Sequence, residues 1–393
     1  MLVAVNRYID LLTDSEGVTR TLGVVDVFVN DASGRPECFV GNRSVVFKIR
    51  CGGRAKMLKC YTVPKPNLRR IYGSRCLRDE LYVPSSDGGG EYVDVVLDDW
   101  VEGCTLREAV SRAWGDLPAM KRLSESFDRF ALKLLEADWA HGDLKPENII
   151  VDAEGVMHAI DFDAVYRPDL AGLQCDESGT AAFQHPSRGC GLYDKSIDDY
   201  PVALISAALH LLSVDAGVSR SSLDEGFLLF DPTAIAAGDR RMLNYALAAF
   251  ERLCMGVEYR IAMLLTSPVP QLPGLAELLG HLVRRCEGAA GSSGRLELAS
   301  RDGLWGYVQG GGFVIAPVFD SGFEFSEGLA AVRLGGTFHF ISPAGEPVLS
   351  FGGLRAVKPF RNGTALLIGK NGCVTVDRAG RPADPPPCGS GAK

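Results

Sequence analysis

Two short stretches decide the fold of this 393-residue chain: His141-Gly142-Asp143-Leu144-Lys145-Pro146-Glu147-Asn148 and, a little later, Asp161-Phe162-Asp163. The apolar run Asn148-Ile149-Ile150-Val151 follows the first stretch and leads into a turn at residues 152–155. A second run, Val156-Met157-His158-Ala159-Ile160, predicts the return strand of a hairpin. Because the two strands pair, the hairpin is expected to bring Asp161 back to the end of the first stretch.

The side chains of these stretches match the needs of phosphoryl transfer from ATP, whose loose transition state is managed by positioning and by charge neutralisation. Asp143 would accept the proton of the attacking hydroxyl. Lys145 would lie near the transferring phosphate. Asn148 and Asp161 would hold Mg²⁺ between the phosphate oxygens. The chemistry of these residues therefore predicts ATP and Mg²⁺ as cofactors.

The stretch at residues 141–148 resembles the catalytic loop of protein kinases, with Gly142 where many members have arginine. The resemblance extends over roughly residues 38–286. It implies an α+β, bilobal protein-kinase-like fold with a β-rich small lobe and a helical large lobe. Lys145 and a later platform at residues 179–186 imply a serine/threonine protein kinase. His141 is expected to support the loop backbone and not to act as a base.

The composition is that of an ordinary globular protein, with 46% hydrophobic and 23% charged residues. The net charge of −8 argues against a nucleic-acid partner, for which a basic face is expected. No apolar run approaches the ~18 residues of a membrane span, and the first residues lack the order of a signal peptide. The 11 cysteines include no Cys-x-x-Cys pair, which fits a reducing cytoplasm.

Four strands are predicted between residues 24 and 61, at residues 24–30, 37–40, 44–50 and 55–61. The turn after the second strand resembles the loop that covers the ATP phosphates in kinases, although Phe39 replaces its first glycine. The resemblance implies that four residues of this turn and its flanks bind ATP: Val40, Gly41, Ser44 and Val46.

Lys59 stands where a kinase places the lysine that binds the α- and β-phosphates, and Lys48 is the competing choice. In active kinases a glutamate on a helix fixes that lysine. The predicted helix at residues 67–77 contains no acidic residue. Three alternatives follow: Glu80 or another carboxylate takes this role, the lysine is held differently, or catalysis is weak.

A buried strand predicted at residues 91–97 runs into a segment that resembles the adenine-binding hinge of kinases. The implied hinge positions for ATP are Asp99, Trp100 and Val101. Further on, Thr105 and Glu108 are spaced as a capping box that starts a helix. Residues 123–140 predict a second helix from their apolar stripe.

Three residues near the catalytic stretch carry further expectations. Asp198 resembles the kinase aspartate that ties down the catalytic-loop backbone. Because Gly142 replaces an arginine, no cation is expected there, and phosphorylation of Ser178 or Thr180 is not expected to be required. Asp163 replaces the usual glycine, which restricts the backbone where that loop switches conformation.

The end of the chain repeats itself. Residues 303–308 recur as 336–341 and more faintly as 372–376, and residues 325–332 recur as 360–367. The spacing of about 33 to 35 residues indicates an array of small β units that bury their faces on one another. Trp305-Gly306 and the run from Phe325 resemble WG repeats, for which an interaction role is implied by analogy.

The predicted organisation has five parts: an N-terminal extension (1–22), a kinase-like domain (23–286, small lobe about 23–99 and large lobe about 100–286), a linker (287–294), a WG-repeat β domain (295–381) and a disordered tail (382–393). The expected partners are a protein substrate and a protein that binds the repeats, with no nucleic acid and no membrane.

Two other functions stay open. Aminoglycoside and choline kinase-like enzymes also contain His-Gly-Asp and Asp-Phe-Asp, so the acceptor could be a small hydroxylated molecule. Against that reading stand Lys145-Pro146-Glu147 and the platform at residues 179–186, which those enzymes generally lack. The other reading is a pseudokinase scaffold that acts through the repeats, and the missing helix glutamate motivates it.

Overall fold

The computed structural model describes residues 2–14, 18–30, 34–85, 88–172, 179–189, 191–224, 226, 228–287 and 294–383. The fold is a mixture of helices and antiparallel sheets, which confirms the predicted α+β class. The chain divides into two compact units. The first unit comprises Met1–Gly103, Ile160–Val165 and Asp169–Leu173, and the second comprises Cys104–Ala159, Tyr166–Pro168 and Gln174–Lys393. The predicted domain boundaries stay predictions.

The first unit is built on a six-stranded sheet of order β1-β3-β4-β6-β5, with β2 paired to β3. Its strands and helices are α1 (Val5–Asp14), β1 (Asp26–Val27), β2 (Cys38–Val40), β3 (Ser44–Cys51), β4 (Arg54–Tyr61), α2 (Leu68–Tyr72), β5 (Cys76–Pro84) and β6 (Gly90–Asp99). Alternate residues Val45, Phe47 and Ile49 of β3 are buried, so one face of the sheet lies on the core.

Helix α1 belongs to this core, although residues 1–22 were predicted only as an extension. Its side chains Tyr8, Leu11 and Leu12 are buried with those of the sheet. The Tyr8 hydroxyl donates to the carbonyl oxygen of Tyr61 at 2.7 Å. The beginning of the chain is therefore part of the packing of the sheet that carries Lys59.

The second unit begins with helices and a small sheet of order β7-β8-β9. These elements are β7 (Cys104–Thr105), α3 (Leu106–Ala113), α4 (Leu117–Glu136), β8 (Ile149–Val151), β9 (Met157–Ala159), α5 (Asp199–Val214), α6 (Ser221–Asp224), α7 (Pro232–Ala236), α8 (Arg241–Arg252), α9 (Gly256–Leu264) and α10 (Leu275–Cys286).

Three local predictions in this unit can be compared directly with the structure. The capping box of Thr105 and Glu108 is present at the start of α3, and the predicted hairpin is formed by β8 and β9. The helix predicted at residues 123–140 begins earlier, because Asp116 accepts a hydrogen bond from the amide of Ala119 and so caps α4 at Leu117. It also ends earlier than predicted, at Glu136.

The stretch Lys195–Val214, which contains α5, is long and apolar enough to cross a membrane by length and composition alone. It is the one such helix in the described part of the chain, and the sequence reading had not anticipated it. Of its apolar window, 83% is buried inside the protein. Burial of this kind is the property of a central core helix.

Three antiparallel sheets form the rest of the second unit, in the orders β10-β11-β12, β13-β14-β15-β16 and β17-β18-β19. The strands are β10 (Glu297–Arg301), β11 (Leu304–Gln309), β12 (Gly312–Phe319), β13 (Ser321–Gly322), β14 (Ala330–Leu334), β15 (Thr337–Ile341), β16 (Pro347–Gly352), β17 (Ala356–Val357), β18 (Thr364–Ile368) and β19 (Cys373–Asp377).

The first sheets of the array share a hydrophobic core with the helices. Val318 of β12 packs on Gly256 at the start of α9. Arg260 donates from Nε to the carbonyl oxygen of Val318 at 2.8 Å and pairs with Asp320 at 2.7 Å. Residues 288–293 of the predicted linker and residues 384–393 of the predicted tail lie outside the described residues.

Gly306, the glycine of the Trp-Gly pair, lies where two backbones approach closely. A Cβ at this position would be 2.5 Å from the carbonyl oxygen of Ile315 and 2.7 Å from the carbonyl group of Ala316. Neither backbone atom can turn aside as a flexible side chain could. A side chain of any size is therefore excluded unless β11 and β12 move apart.

We predict that Gly306→Ala lowers the free energy of unfolding by about 1–3 kcal/mol, because it overpacks a backbone contact. Gly312→Ala in the adjacent strand is the matched control, since a Cβ there meets nothing within 4 Å. Urea unfolding of both variants measures the difference. Equal stability of the two variants would contradict the close approach.

Candidate functional site

The loop at residues 141–148 lies between a short bridge and β8. Ala140 exchanges backbone hydrogen bonds with Tyr166 before the loop, and a 3₁₀ turn, Pro146–Asn148, leads into the strand. Gly142 has a φ of +84°, a region that L side chains rarely adopt. This backbone conformation favours a glycine at position 142.

The Asp143 carboxylate is surrounded by hydrogen-bond donors. Its Oδ1 accepts from the amide of Thr180 at 2.6 Å, and its Oδ2 accepts from Asn148 Nδ2 at 3.2 Å. Lys145 Nζ lies 3.1 Å from Oδ2 and donates to the Thr180 hydroxyl at 2.8 Å. Three predicted site residues, Asp143, Lys145 and Asn148, are thus brought together.

Asp198 ties the loop to the start of α5, as predicted. Its Oδ1 accepts from the amide of Gly142 at 2.9 Å, and its Oδ2 accepts from the amide of His141. Asp198 is completely buried, and burial raises the pKa of its carboxyl although the two amides oppose the shift. His141 is also completely buried, and its Nδ1 accepts from the Asp143 amide at 3.3 Å. This contact confirms its expected support of the loop backbone.

The expectation that no cation lies near Gly142 is wrong. Arg188 donates from Nη1 to the Gly142 carbonyl oxygen at 2.9 Å, so a guanidinium reaches this position from a segment 46 residues later. Thr180 is already bound to Lys145, whereas Ser178 lies outside the described residues. The dispensability of loop phosphorylation stays a prediction, but its original reason does not hold.

The first unit contains a separate buried cluster around Lys59. The Lys59 ammonium donates to Asp161 Oδ1 at 2.5 Å and to Asp163 Oδ2 at 2.8 Å. Two phenols, Tyr61 and Tyr72, donate to the other oxygen of Asp163 at 2.7 and 2.6 Å. Sequence reasoning missed Asp163 and both tyrosines as partners of this lysine. The only available signal was that an acidic residue replaces a glycine at position 163.

In this cluster, pairing of opposite charges shifts the pKa values of Lys59 and Asp163 more than burial does. Burial opposes ionisation of Lys59, but Asp161 and Asp163 together raise the pKa of its ammonium. Burial likewise opposes ionisation of Asp163, whereas Lys59 and Lys65 lower the pKa of its carboxyl. Burial and the negative charge of Asp163 raise the pKa of Tyr72, which therefore remains a donor.

Glu80, the proposed partner of Lys59, serves another purpose. Its carboxylate accepts hydrogen bonds from the backbone of Thr21 and Leu22, at 2.8 Å each. The helix predicted at residues 67–77 ends at Tyr72 as the five-residue α2. A 3₁₀ turn, Gly73–Arg75, follows it and leads into β5. Among the described residues, the carboxylates that pair with Lys59 are those of Asp161 and Asp163, which lie before and within the 3₁₀ turn Phe162–Ala164.

The residues predicted to cover ATP lie on the turn between β2 and β3. The Gly41 amide donates to the Ser44 carbonyl oxygen at 2.8 Å and closes this turn, and the Val40 side chain is 62% exposed. Val46 lies in β3 directly opposite Lys59 of β4. Their role in ATP binding stays a prediction.

The predicted hinge residues follow the end of β6. Asp99 pairs with Lys56. The Lys48 Nζ lies 5.1 Å from the centroid of the Trp100 ring. Lys48 pairs with Glu102 at 2.8 Å. Lys48 is thus paired with Glu102, whereas Lys59 is buried beside two carboxylates, and the choice between them as the phosphate-binding lysine stays a prediction. Val101 is half-buried.

The two predicted metal ligands, Asn148 and Asp161, belong to different compact units, so their shared Mg²⁺ site stays a prediction. Within the described residues there is no group of three or more His, Cys, Asp or Glu side chains that could hold a metal ion.

Comparison with known proteins bears on the repeats. Residues 305–338 match the family described as "WG containing repeat". This confirms the prediction of WG repeats for the segment from β11 to the start of β15. A search of curated proteins found no match.

We predict that Asp198→Ala lowers the free energy of unfolding by about 3 kcal/mol, because two buried amides lose a charged acceptor. Asp138→Ala, at an exposed position after α4, is the control and is expected to change it by less than about 0.5 kcal/mol. Urea unfolding followed by circular dichroism measures both. A stability of Asp198→Ala equal to that of the control would show that the loop does not depend on this carboxylate.

Proposed function

We propose that this chain is an ATP- and Mg²⁺-dependent phosphotransferase with a bilobal kinase-like fold, which phosphorylates Ser or Thr hydroxyls of a protein. The observation that carries the proposal is the arrangement around Asp143. Lys145, Asn148 and the Thr180 amide all direct donors at its carboxylate. A carboxylate fixed in this way is suited to accept a hydroxyl proton.

The side chains next to Asp143 support a transfer step. Lys145 places a positive charge 3.1 Å from the carboxylate, where charge develops as the phosphoryl group moves. In the proposed reaction, the acceptor oxygen bonds to the γ-phosphorus of ATP while the bond to the β,γ-bridging oxygen breaks. The proton of the acceptor hydroxyl passes to Asp143, and ADP leaves.

The residues that would hold MgATP fit that group. Asn148 donates from its nitrogen to Asp143, which directs its oxygen away from that carboxylate and suits it to a hard cation. Lys59 is a buried ammonium, and Asp161 beside it is a carboxylate. When bound, Mg²⁺ would neutralise charge on the phosphates, and Lys59 would bind the α- and β-phosphates.

One observation favours a pseudokinase scaffold as the second function. Both carboxylates beside Lys59 already pair with its ammonium, so phosphates would compete with Asp161 for the same cation. In this reading the cluster only stabilises the first unit, and the repeats carry the function.

The test is transfer of label from γ-labelled ATP, with Mg²⁺, to casein, to a basic protein and to an aminoglycoside. We expect label on a protein acceptor, and at least a 100-fold lower rate for Asp143→Asn, because that variant cannot take the proton. Asp138→Asn is the control for a carboxylate change on the surface. Label only on the aminoglycoside would overturn the protein substrate. Thermal stabilisation by nucleotide without any label would favour the scaffold.

The repeats are proposed to recruit the protein substrate, and their charge supports an acidic one. Residues 354–383 contain a single acidic side chain, Asp377, in a protein whose net charge is −8. All of their basic side chains are exposed: Arg355, Lys358, Arg361, Lys370, Arg378 and Arg381. Such a local excess of positive charge attracts acidic polypeptides.

We predict that reversing three of these charges (Arg355→Glu, Lys358→Glu and Arg361→Glu) raises the KM for an acidic acceptor such as casein by about tenfold. The KM for a short acceptor peptide should stay unchanged, because the peptide needs only the catalytic loop. Substitution is preferred to deletion of the repeats, since deletion would uncover the core shared with α9. An unchanged KM for casein would contradict recruitment by this face.

A further inference from the structure

We propose that Asp163 is the permanent anchor of Lys59, and that Asp161 is a second, exchangeable partner which can leave for a metal ion. Asp163 would thus be a positioning residue. The consequence for phosphate binding rests on the proposed function, whereas the anchoring itself does not. The inference comes from the different surroundings of the two carboxylates.

Asp163 is held from several directions. Its Oδ2 accepts from Lys59 at 2.8 Å and lies 3.9 Å from Lys65 Nζ. Its Oδ1 accepts from the Tyr61 and Tyr72 hydroxyls. The Asp163 side chain is 12% exposed. A carboxylate with both oxygens bound in a buried site cannot leave without stranding these donors.

Asp161 is held much less firmly. Its side chain is 43% exposed, and Lys59 supplies the one hydrogen bond to its carboxylate from the described residues. Its backbone has a φ of +66°, in the left-handed region that is uncommon for residues other than glycine. Release of Asp161 costs a single contact and exposes a group that is already partly in water.

The charges of the cluster explain why two carboxylates are needed. Lys59 is 3% exposed, and a buried ammonium without a counter-ion is strongly disfavoured. If Asp161 turned to a metal ion, Asp163 would still neutralise Lys59. Asp163 is therefore suited to the role that a helix carboxylate has in kinases, from a position that directly follows Asp161-Phe162.

The anchoring can be tested without any enzyme activity. The full chain and its Asp163→Asn and Asp161→Asn variants are pulsed briefly with acetic anhydride, and acetylation of each lysine is measured by mass spectrometry. We expect Lys59 acetylation to rise at least fivefold in Asp163→Asn and less than twofold in Asp161→Asn. Lys48 and Lys56 on the same sheet are internal references, because general loosening would raise their acetylation too.

Two further variants test the anchoring of Lys59 if Asp163→Asn folds poorly. Tyr72→Phe removes one donor to Asp163 and should raise Lys59 acetylation by about twofold. Asp163→Glu keeps the charge and should restore most of the protection. Equal or greater acetylation in Asp161→Asn than in Asp163→Asn would overturn the proposal.

Kinetic measurements of the Asp163→Asn and Asp161→Asn variants distinguish the roles of the two carboxylates by the Mg²⁺ concentration that each variant requires. Asp163→Asn should lower kcat at least tenfold with an unchanged half-saturating Mg²⁺ concentration, whereas Asp161→Asn should raise that concentration at least tenfold. A raised Mg²⁺ requirement in Asp163→Asn would contradict the division of roles. If the unmodified chain transfers no phosphoryl group, the proposed function fails, and the acetylation result alone decides whether Asp163 is the anchor.

Discussion

The buried carboxylate of Asp198 is the interaction on which the geometry of the 141–148 loop depends. A loop of this length has few backbone partners of its own, and two of its amides end on this one side chain. Asp198 can supply both oxygens because it precedes α5, whose residues are buried on almost every side. The buried helix α5 therefore fixes, through the residue before it, the backbone that carries Asp143 and Asn148.

The same unit shows how a repeat array becomes part of the domain beside it. Glu251 on α8 accepts hydrogen bonds from the Gly336 amide and the Thr337 hydroxyl, at 2.9 and 2.8 Å. Arg260 on α9 donates a hydrogen bond to the carbonyl oxygen of Val318 near the end of β12. An array of this kind needs a cap at its first unit, because a terminal repeat otherwise leaves its apolar face in water. Here the helices provide that cap.

Local structural features could be predicted from the sequence because they depend on residues that are close together in the chain. Alternation in β3, the capping box at Thr105 and the hairpin after Asn148 all depend on residues close together in the chain. The WG repeats were visible for the same reason, since glycine and aromatic residues recur at a fixed spacing. These are the features that propensity and periodicity record.

The electrostatic partners were not readable, because they lie far apart in the chain. Asp163 is 104 residues from Lys59, and Arg188 is 46 residues from Gly142. No periodicity links such pairs. Glu80 was one candidate partner of Lys59 because it was the nearest acidic residue, whereas its carboxylate accepts a hydrogen bond from the Thr21 amide. Tertiary packing determines which charged side chains form pairs. It also determines where α2 ends, which is earlier than its composition suggested.

The discontinuity of the first unit has a consequence for biosynthesis. Its sheet is complete once residue 99 has been made, but Ile160–Val165 belongs to the same unit and arrives some sixty residues later. At about 5–20 residues per second, a ribosome needs several seconds to translate that interval. During this time Lys59 lacks both of the carboxylates, Asp161 and Asp163, that pair with it in the complete unit. Leu58 and Cys60 of β4 can already pack into the core, because neighbouring residues of a strand face opposite sides of the sheet. The ion pairs of Lys59 can form only after the β8–β9 hairpin has been translated.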